Sequence, residues 1–366
     1  MVFPQNKHIC LFLVLIHLLI GIGWGSTMKK PNLRIQFPIK SVYGLNDSPQ
    51  VQFPGKTDED VVKLLKENKI NSVFGGYKNT KLRKLLKQNQ INVYAEITLF
   101  AGTGLWKTNP EYRPITSSGK LIEKDDWYGG LCPNQPKLQE KRLHEISELI
   151  DKYDVDGIWL DFIRYPTHWE VKNPRLDQTC FCPVCLAKFQ KDTKIQIPTN
   201  LTKTADKAHW ILKTHNQTWV DWKCQNITTF TKKAYQQIKS KNPSIVVGFF
   251  GVPWTPDDFN NAIHSTIGQD YKTLSPYVDV FTPMVYHKLC YRDINWINAI
   301  INYQSNQTNK PIVPIIQACS IPSELSNKEF TSTINEALRT PSKGVIIFTL
   351  DHAIKENKFN NLKSKW

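Results

Sequence analysis

The chain has 366 residues and a formal charge of +15, with 47 Lys and Arg against 32 Asp and Glu. Such an excess could favour an anionic partner such as an acidic polysaccharide or nucleic acid. The lysines, however, are spread over amphipathic stretches (Lys63, Lys66, Lys69, Lys81, Lys84, Lys87), as on solvated helix faces, and with neither a basic arm nor a reading module no nucleic-acid partner is expected.

Lys7 and His8 precede a nearly unbroken apolar run, Ile9 to Ile22, that closes in small residues. This reads as a signal peptide over residues 1–25: some 14 apolar residues fall short of the roughly 20 that span a bilayer. The expected product is a secreted or periplasmic protein of about 340 residues with no stable membrane insertion after cleavage.

Beyond the leader, strand-like and helix-like segments alternate. Expected strands are Ser41–Leu45, Ser72–Gly75, Val93–Leu99, Gly157–Ile163, Ile245–Phe250, Val278–Val285, Ile312–Ala318 and Val345–Leu350. Amphipathic helices are expected at Asp58–Asn68 and Thr80–Asn89, where leucines and valines recur at helical spacing. Eight strand–helix repeats predict a single (β/α)8 TIM barrel over residues 26–366. An open doubly wound sheet is the alternative, but no Gly-rich phosphate loop follows the first strand. Two connections are long, Ala101 to Lys137 after strand 3 and Thr167 to Asn242 after strand 4, and such loops commonly build a substrate cleft. They carry Trp106, Tyr112, Trp127, Tyr128, Trp169, Trp210, Trp219 and Trp222, which could stack on sugars or pack the loops onto the barrel.

Seven cysteines lie outside the leader, an odd number, so at least one free thiol or metal-bound sulfur is expected in an oxidising compartment. The cluster Cys180, Cys182 and Cys185 could bind a structural zinc with a fourth ligand such as Cys132 or Cys224, and disulfides to those same residues fit equally well. No catalytic cofactor is expected. Five Asn-x-Ser/Thr sequons, at Asn46, Asn200, Asn216, Asn226 and Asn306, are candidate glycan acceptors if the host pathway glycosylates.

The stretch Asp156 to Pro166, Asp-Gly-Ile-Trp-Leu-Asp-Phe-Ile-Arg-Tyr-Pro, reads as a buried strand that carries Asp161 to the end of the barrel where catalysis is usually found. Residues two apart share a strand face. That rule groups Trp159 with Asp161, Tyr94 with Glu96 and Thr98, Ile347 with Thr349 and Asp351, and Met284 with Tyr286, His287 lying just beyond. Three acids at one barrel mouth suit glycoside hydrolysis, in which one carboxyl protonates the leaving oxygen and another attacks or activates water. Catalytic candidates are therefore Asp161, Glu96 and Asp351, with Trp159, Arg164, Tyr286, His287 and Trp127 as substrate-binding candidates. If Arg164 meets Asp161 it holds that carboxyl ionised, which favours Asp161 as nucleophile or base and Glu96 as acid. A metal-dependent hydrolase would need His and Asp clusters at strand tips, and only His287 and His352 lie near such positions.

The Asp156 to Pro166 motif, Pro283-Met284-Val285-Tyr286 and the cysteine-rich segment Cys180 to Phe189 together resemble glycosyl-hydrolase-like TIM-barrel families whose fourth strand reads D-G-I-x-x-D-x-I-R-Y/F-P. The resemblance implies a (β/α)8 fold, a carbohydrate substrate and site roles for Asp161, Arg164 and Tyr286. Chitinase-like enzymes differ: Trp159 stands where they carry the second Asp of the motif and Ile163 where they carry the catalytic Glu. Alpha-amylase-like enzymes place an Arg at the position of Trp159 and a Glu on the next strand, which here is acid-free. The reading is an exported O-glycoside hydrolase acting on a polysaccharide or glycoconjugate. The rival is a non-catalytic sugar-binding barrel.

Overall fold

The computed structural model describes residues 33–125 and 127–366; the expected leader, residues 1–25 with Cys10, lies outside the described residues. Eight parallel strands run β1 (Ile39–Leu45), β2 (Ser72–Gly75), β3 (Asn92–Thr98), β4 (Gly157–Asp161), β5 (Val246–Gly251), β6 (Val280–Pro283), β7 (Ile315–Gln317) and β8 (Gly344–Phe348). Neighbours in chain order pair from β1 to β6 and again from β7 to β8, and β1 pairs with β8, so β6 and β7 are the two ends of the sheet. Single parallel bridges, Phe281 with Ile312 and Met284 with Ile315, draw β6 toward β7. The result is a nearly closed (β/α)8 barrel, the architecture expected from the alternation of segments.

Local chemistry sets the helix starts. Thr57 opens Asp58–Glu67 with a reciprocal capping box to Asp60, and the Asn79 side chain accepts the Leu82 N–H to open Thr80–Gln88, so donors left unpaired at each first turn are satisfied. Among the described residues no helix is long and apolar enough to cross a membrane. Of the five sequons, Asn226 is buried within the helix Asn216–Lys241 and is a poor acceptor.

Aromatic rings fill the lower barrel. Trp159, fully buried, packs on Tyr94 and Phe74 with ring centroids 4.6 and 5.0 Å away, and its indole N–H donates to Thr282 Oγ1 at 2.9 Å. The ring lies across β5 so closely that a Cβ on Gly248 would come within 2.0 Å of it. Trp159 is therefore core and not a substrate contact: it points inward as its strand face predicts, but one layer below the mouth. Trp169, Trp219 and Trp222 of the second long connection are also buried, whereas Trp210 is only partly so. Phe181 stacks on Trp219 at 4.6 Å, and Trp219 on Trp222 at 4.8 Å.

Candidate active site

A cavity of about 430 Å³ opens at the C-terminal end of the strands, lined by Tyr43, Glu96, Thr98, Trp127, Asp161, Phe162, Arg164, His168, Glu170, Met284, Tyr286, Leu289 and Phe348. β3 and β4 bring the two principal acids together. Glu96 pairs with Trp159 and Thr98 with Asp161, so the two acids sit on adjacent strands, offset by two residues. Strand geometry puts their Cα atoms roughly 8 Å apart, from ~4.8 Å across and ~6.6 Å along.

Asp161 is the last residue of β4. Phe162 follows in the left-handed region (φ 49), an uncommon conformation for a bulky residue and one that recurs at functional sites. That turn aims the Phe162 N–H back at Asp161 Oδ1, 2.6 Å away. Protein surrounds the carboxyl except toward the cavity. Burial, then the negative charge of Glu96, pushes it up to about 8, against the pull of the Phe162 N–H and Arg164. Burial also raises Glu96, but its carboxyl accepts two hydroxyls, Thr98 Oγ1 at 2.8 Å and Tyr43 Oη at 3.1 Å. Hydrogen bonds to the charged form favour ionisation, so Glu96 is the better-supported carboxylate of the pair.

Arg164 does not hold Asp161 ionised as the sequence suggested. Its guanidinium lies 5.1 Å from the Phe162 ring and 5.4 Å from the Tyr128 ring, donating to the Thr167 carbonyl at 2.8 Å and the Tyr128 hydroxyl at 3.3 Å. It lines the cavity while serving as a tie for its own loop.

Tyr286 and Trp127 also reach the cavity. Tyr286 stacks between Phe348 at 5.1 Å and Trp169 at 6.0 Å; Trp127 stands at the rim, 54% exposed. Two other candidates lie elsewhere. Thr349 caps the helix Leu350–Lys355, accepting the His352 N–H, so the chain leaves β8 at Phe348 and Asp351 falls in the first helical turn. Asp351 is exposed and accepts a 2.6 Å hydrogen bond from Gln52. His287 points to the opposite side of the chain from Tyr286, with Nε2 3.2 Å from Glu329 in a separate surface hollow. His352 bonds Thr349 through Nδ1 and gathers no acid cluster.

The sequence reading missed several cavity residues, Tyr43 and Glu170 among them. Tyr43 shares a β1 face with Ser41, so strand alternation could have marked it. Glu170 comes from the irregular loop after β4, where no periodicity exists to read. Burial raises its carboxyl, with Arg164 opposing, and its Oε2 is buried without a hydrogen-bond partner.

All seven cysteines among the described residues are free thiols, so the disulfide alternative is not the arrangement found. Cys132, Cys180, Cys182 and Cys185 gather instead, all four sulfurs within 4.8 Å of one another.

The fold is shared with solved glycoside hydrolases. The chain is similar to the glycoside hydrolase domain of PgaB (BpsB) from Bordetella bronchiseptica, with a TM-score of 0.64 and 13% identity, covering 89% of this chain and 98% of that one. It is similar to β-galactosidases from the psychrophilic Marinomonas ef1 (TM-score 0.61, 10% identity, 85% of this chain and 54% of that one) and from Rahnella sp. R3 (0.60, 16%, 92% and 57%). The chain thus spans a little over half the length of those two enzymes. At these identities the likeness is one of fold. No curated protein matches the chain. A family profile described as "Putative glycosyl hydrolase domain" matches residues 56–311, well over half of the sequence, and the chain belongs to that family.

Proposed function

We propose that the protein is an exported glycoside hydrolase that cleaves O-glycosidic bonds of a polysaccharide or glycoconjugate with Asp161 and Glu96. The observation that carries this reading is the cavity itself: buried carboxyls raised above their usual range converge at the C-terminal mouth of a barrel, among aromatic rings. Its volume lies within the ~300–1,000 Å³ of small-ligand sites.

The two acids divide the work by environment. Asp161, with one backbone N–H donor, keeps its proton near neutral pH and gives it to the leaving oxygen as general acid. Glu96, raised by burial but with the Thr98 and Tyr43 hydroxyls favouring its ionised form, is in this reading the nucleophile or the base for water. Paired carboxyls set apart by their surroundings are what this reaction requires. The exposed indole of Trp127 offers a face on which a sugar can stack, and the Tyr286 and Phe348 rings form the apolar wall that sustains the acid's raised pKa.

The test is reducing-sugar release from a panel of neutral, acidic and amino-sugar glycans. Turnover is expected, with Asp161→Asn and Glu96→Gln each lowering kcat by about 10²- to 10⁴-fold while the fold is kept. Glycan binding without turnover of any substrate identifies the sugar-binding barrel instead, and an Asp161→Asn variant of undiminished rate overturns the assignment.

A further inference from the structure

We propose that Cys132, Cys180, Cys182 and Cys185 form a tetrathiolate zinc site that clamps together the two loops walling the cavity. Three of these residues are close in sequence; the fourth arrives from the loop after β3, 48 residues before Cys180, and only the fold selects it. Cys224, the other sequence candidate, is not in the group.

The spacing suits a metal and not a disulfide. Cys132 Sγ stands 3.4 Å from Cys185 Sγ and 3.9 Å from Cys182 Sγ. Four sulfurs at ~2.3 Å around a tetrahedral zinc lie ~3.8 Å apart along each edge, whereas a disulfide needs ~2.05 Å. All four residues are buried. N–H donors already surround the sulfurs: the Ile115 amide reaches Cys180 at 3.4 Å, Asn134 Nδ2 reaches Cys185 at 3.3 Å and Gln135 Nε2 approaches Cys182 at 3.9 Å. Such donors orient and stabilise metal-bound thiolates.

The surrounding charge agrees. Lys223 is fully buried, its ammonium 4.5 Å from the Tyr165 ring and hydrogen-bonded to the carbonyls of Ser265 and Thr266, and no carboxylate pairs with it among the described ion pairs. The Tyr165 hydroxyl in turn accepts from Asn134, the residue that donates to Cys185. A zinc with four thiolates carries a net charge of −2, and a buried lysine nearby is its natural counter-charge.

The position gives the site its consequence. Cys132 follows the Trp127–Tyr128 rim, and Cys180 closes the segment that holds Arg164, His168 and Glu170. The same two loops are joined by the Thr116–Thr179 bridge and the Phe181 N–H bond to the Ile115 carbonyl. Zinc adds a covalent-strength tie at that seam, and its binding energy becomes folding energy.

The deciding measurement is metal analysis of the full chain purified without chelator, paired with thiol titration after unfolding and an intact mass. One zinc per chain is expected, released on unfolding together with reactive thiols. Cobalt substitution should give the absorption bands of a tetrahedral thiolate centre. Cys132→Ser and Cys182→Ser should lose the metal and Cys224→Ser should keep it. A strong chelator should lower the Tm of the wild type and leave that of Cys132→Ser unmoved. Should the serine variants not fold, the wild-type stoichiometry still decides. Protein that takes up no zinc even on refolding with it, a mass showing disulfides among these four residues, or iron in zinc's place overturns the proposal.

Discussion

Replacing Asp161 with Asn should make the protein more stable, and by an amount that grows with pH. In the unfolded chain the carboxyl loses its proton near the ordinary value of 3.8, whereas in the folded protein burial and the Glu96 charge hold the proton until about pH 8. Between those limits the unfolded state binds fewer protons, so the wild type loses stability as pH rises. The advantage of the protonated folded form is complete below pH 3.8 and gone above about 8. About four pH units at ~1.4 kcal/mol each bound the cost at ~6 kcal/mol; water reaching the carboxyl through the cavity mouth reduces the expected figure to about 3 kcal/mol. Asn is neutral in both states and can still accept the Phe162 N–H, so the variant lacks this slope. It also relieves Glu96 of a negative neighbour, which acts in the same direction. Thermal unfolding of both proteins should give nearly equal Tm at pH 4 and a variant higher by about 6 °C at pH 8, taking ~2 °C per kcal/mol for a domain this large. A Tm difference that does not change with pH, or one that favours the wild type at alkaline pH, refutes the reasoning.

Other substitutions test neighbouring parts of the structure. Tyr43→Phe removes a hydroxyl from the Glu96 carboxylate, a charge-assisted bond worth ~1.5–3 kcal/mol; kcat should fall about 10- to 100-fold and the acid limb of the pH–rate profile should move up by about one pH unit, while an unchanged profile would remove Tyr43 from the mechanism. Gly248→Ala sets a methyl within 2.0 Å of the Trp159 ring and should destabilise the barrel by about 3 kcal/mol in urea titrations; a cost under about 1 kcal/mol would mean that the ring can move aside. Asp351→Asn alters only an exposed helix-start contact with Gln52, so turnover should stay within about twofold of wild type and a large loss would return Asp351 to the candidate acids.

The strands were readable because each is a short apolar run between breakers, and the observed bounds differ from the expected ones mainly at the ends. β4 stops at Asp161 instead of Ile163, because Phe162 turns into the left-handed region. Asp161 and Glu96 were found by alternation, a strictly local rule. The same rule failed for Asp351, since Thr349 ends the strand pattern and starts a helix, and for Trp159, because a shared face does not reveal depth along the barrel axis. Glu170 and Cys132 depend on loop paths, where contacts are made between distant segments and no local period records them. The Arg164 expectation failed for a related reason: adjacency in sequence did not decide which partner its guanidinium would choose.

The indole laid across β5 has a consequence for how the molecule can diversify. With the lower barrel filled by Trp159, Tyr94 and Phe74, a ligand of the cavity would meet the upper opening and its rim, and the packed rings would separate it from the staves beneath. Specificity can then be rewritten in the rim segments around Trp127 and Glu170 without disturbing the cask that supports them.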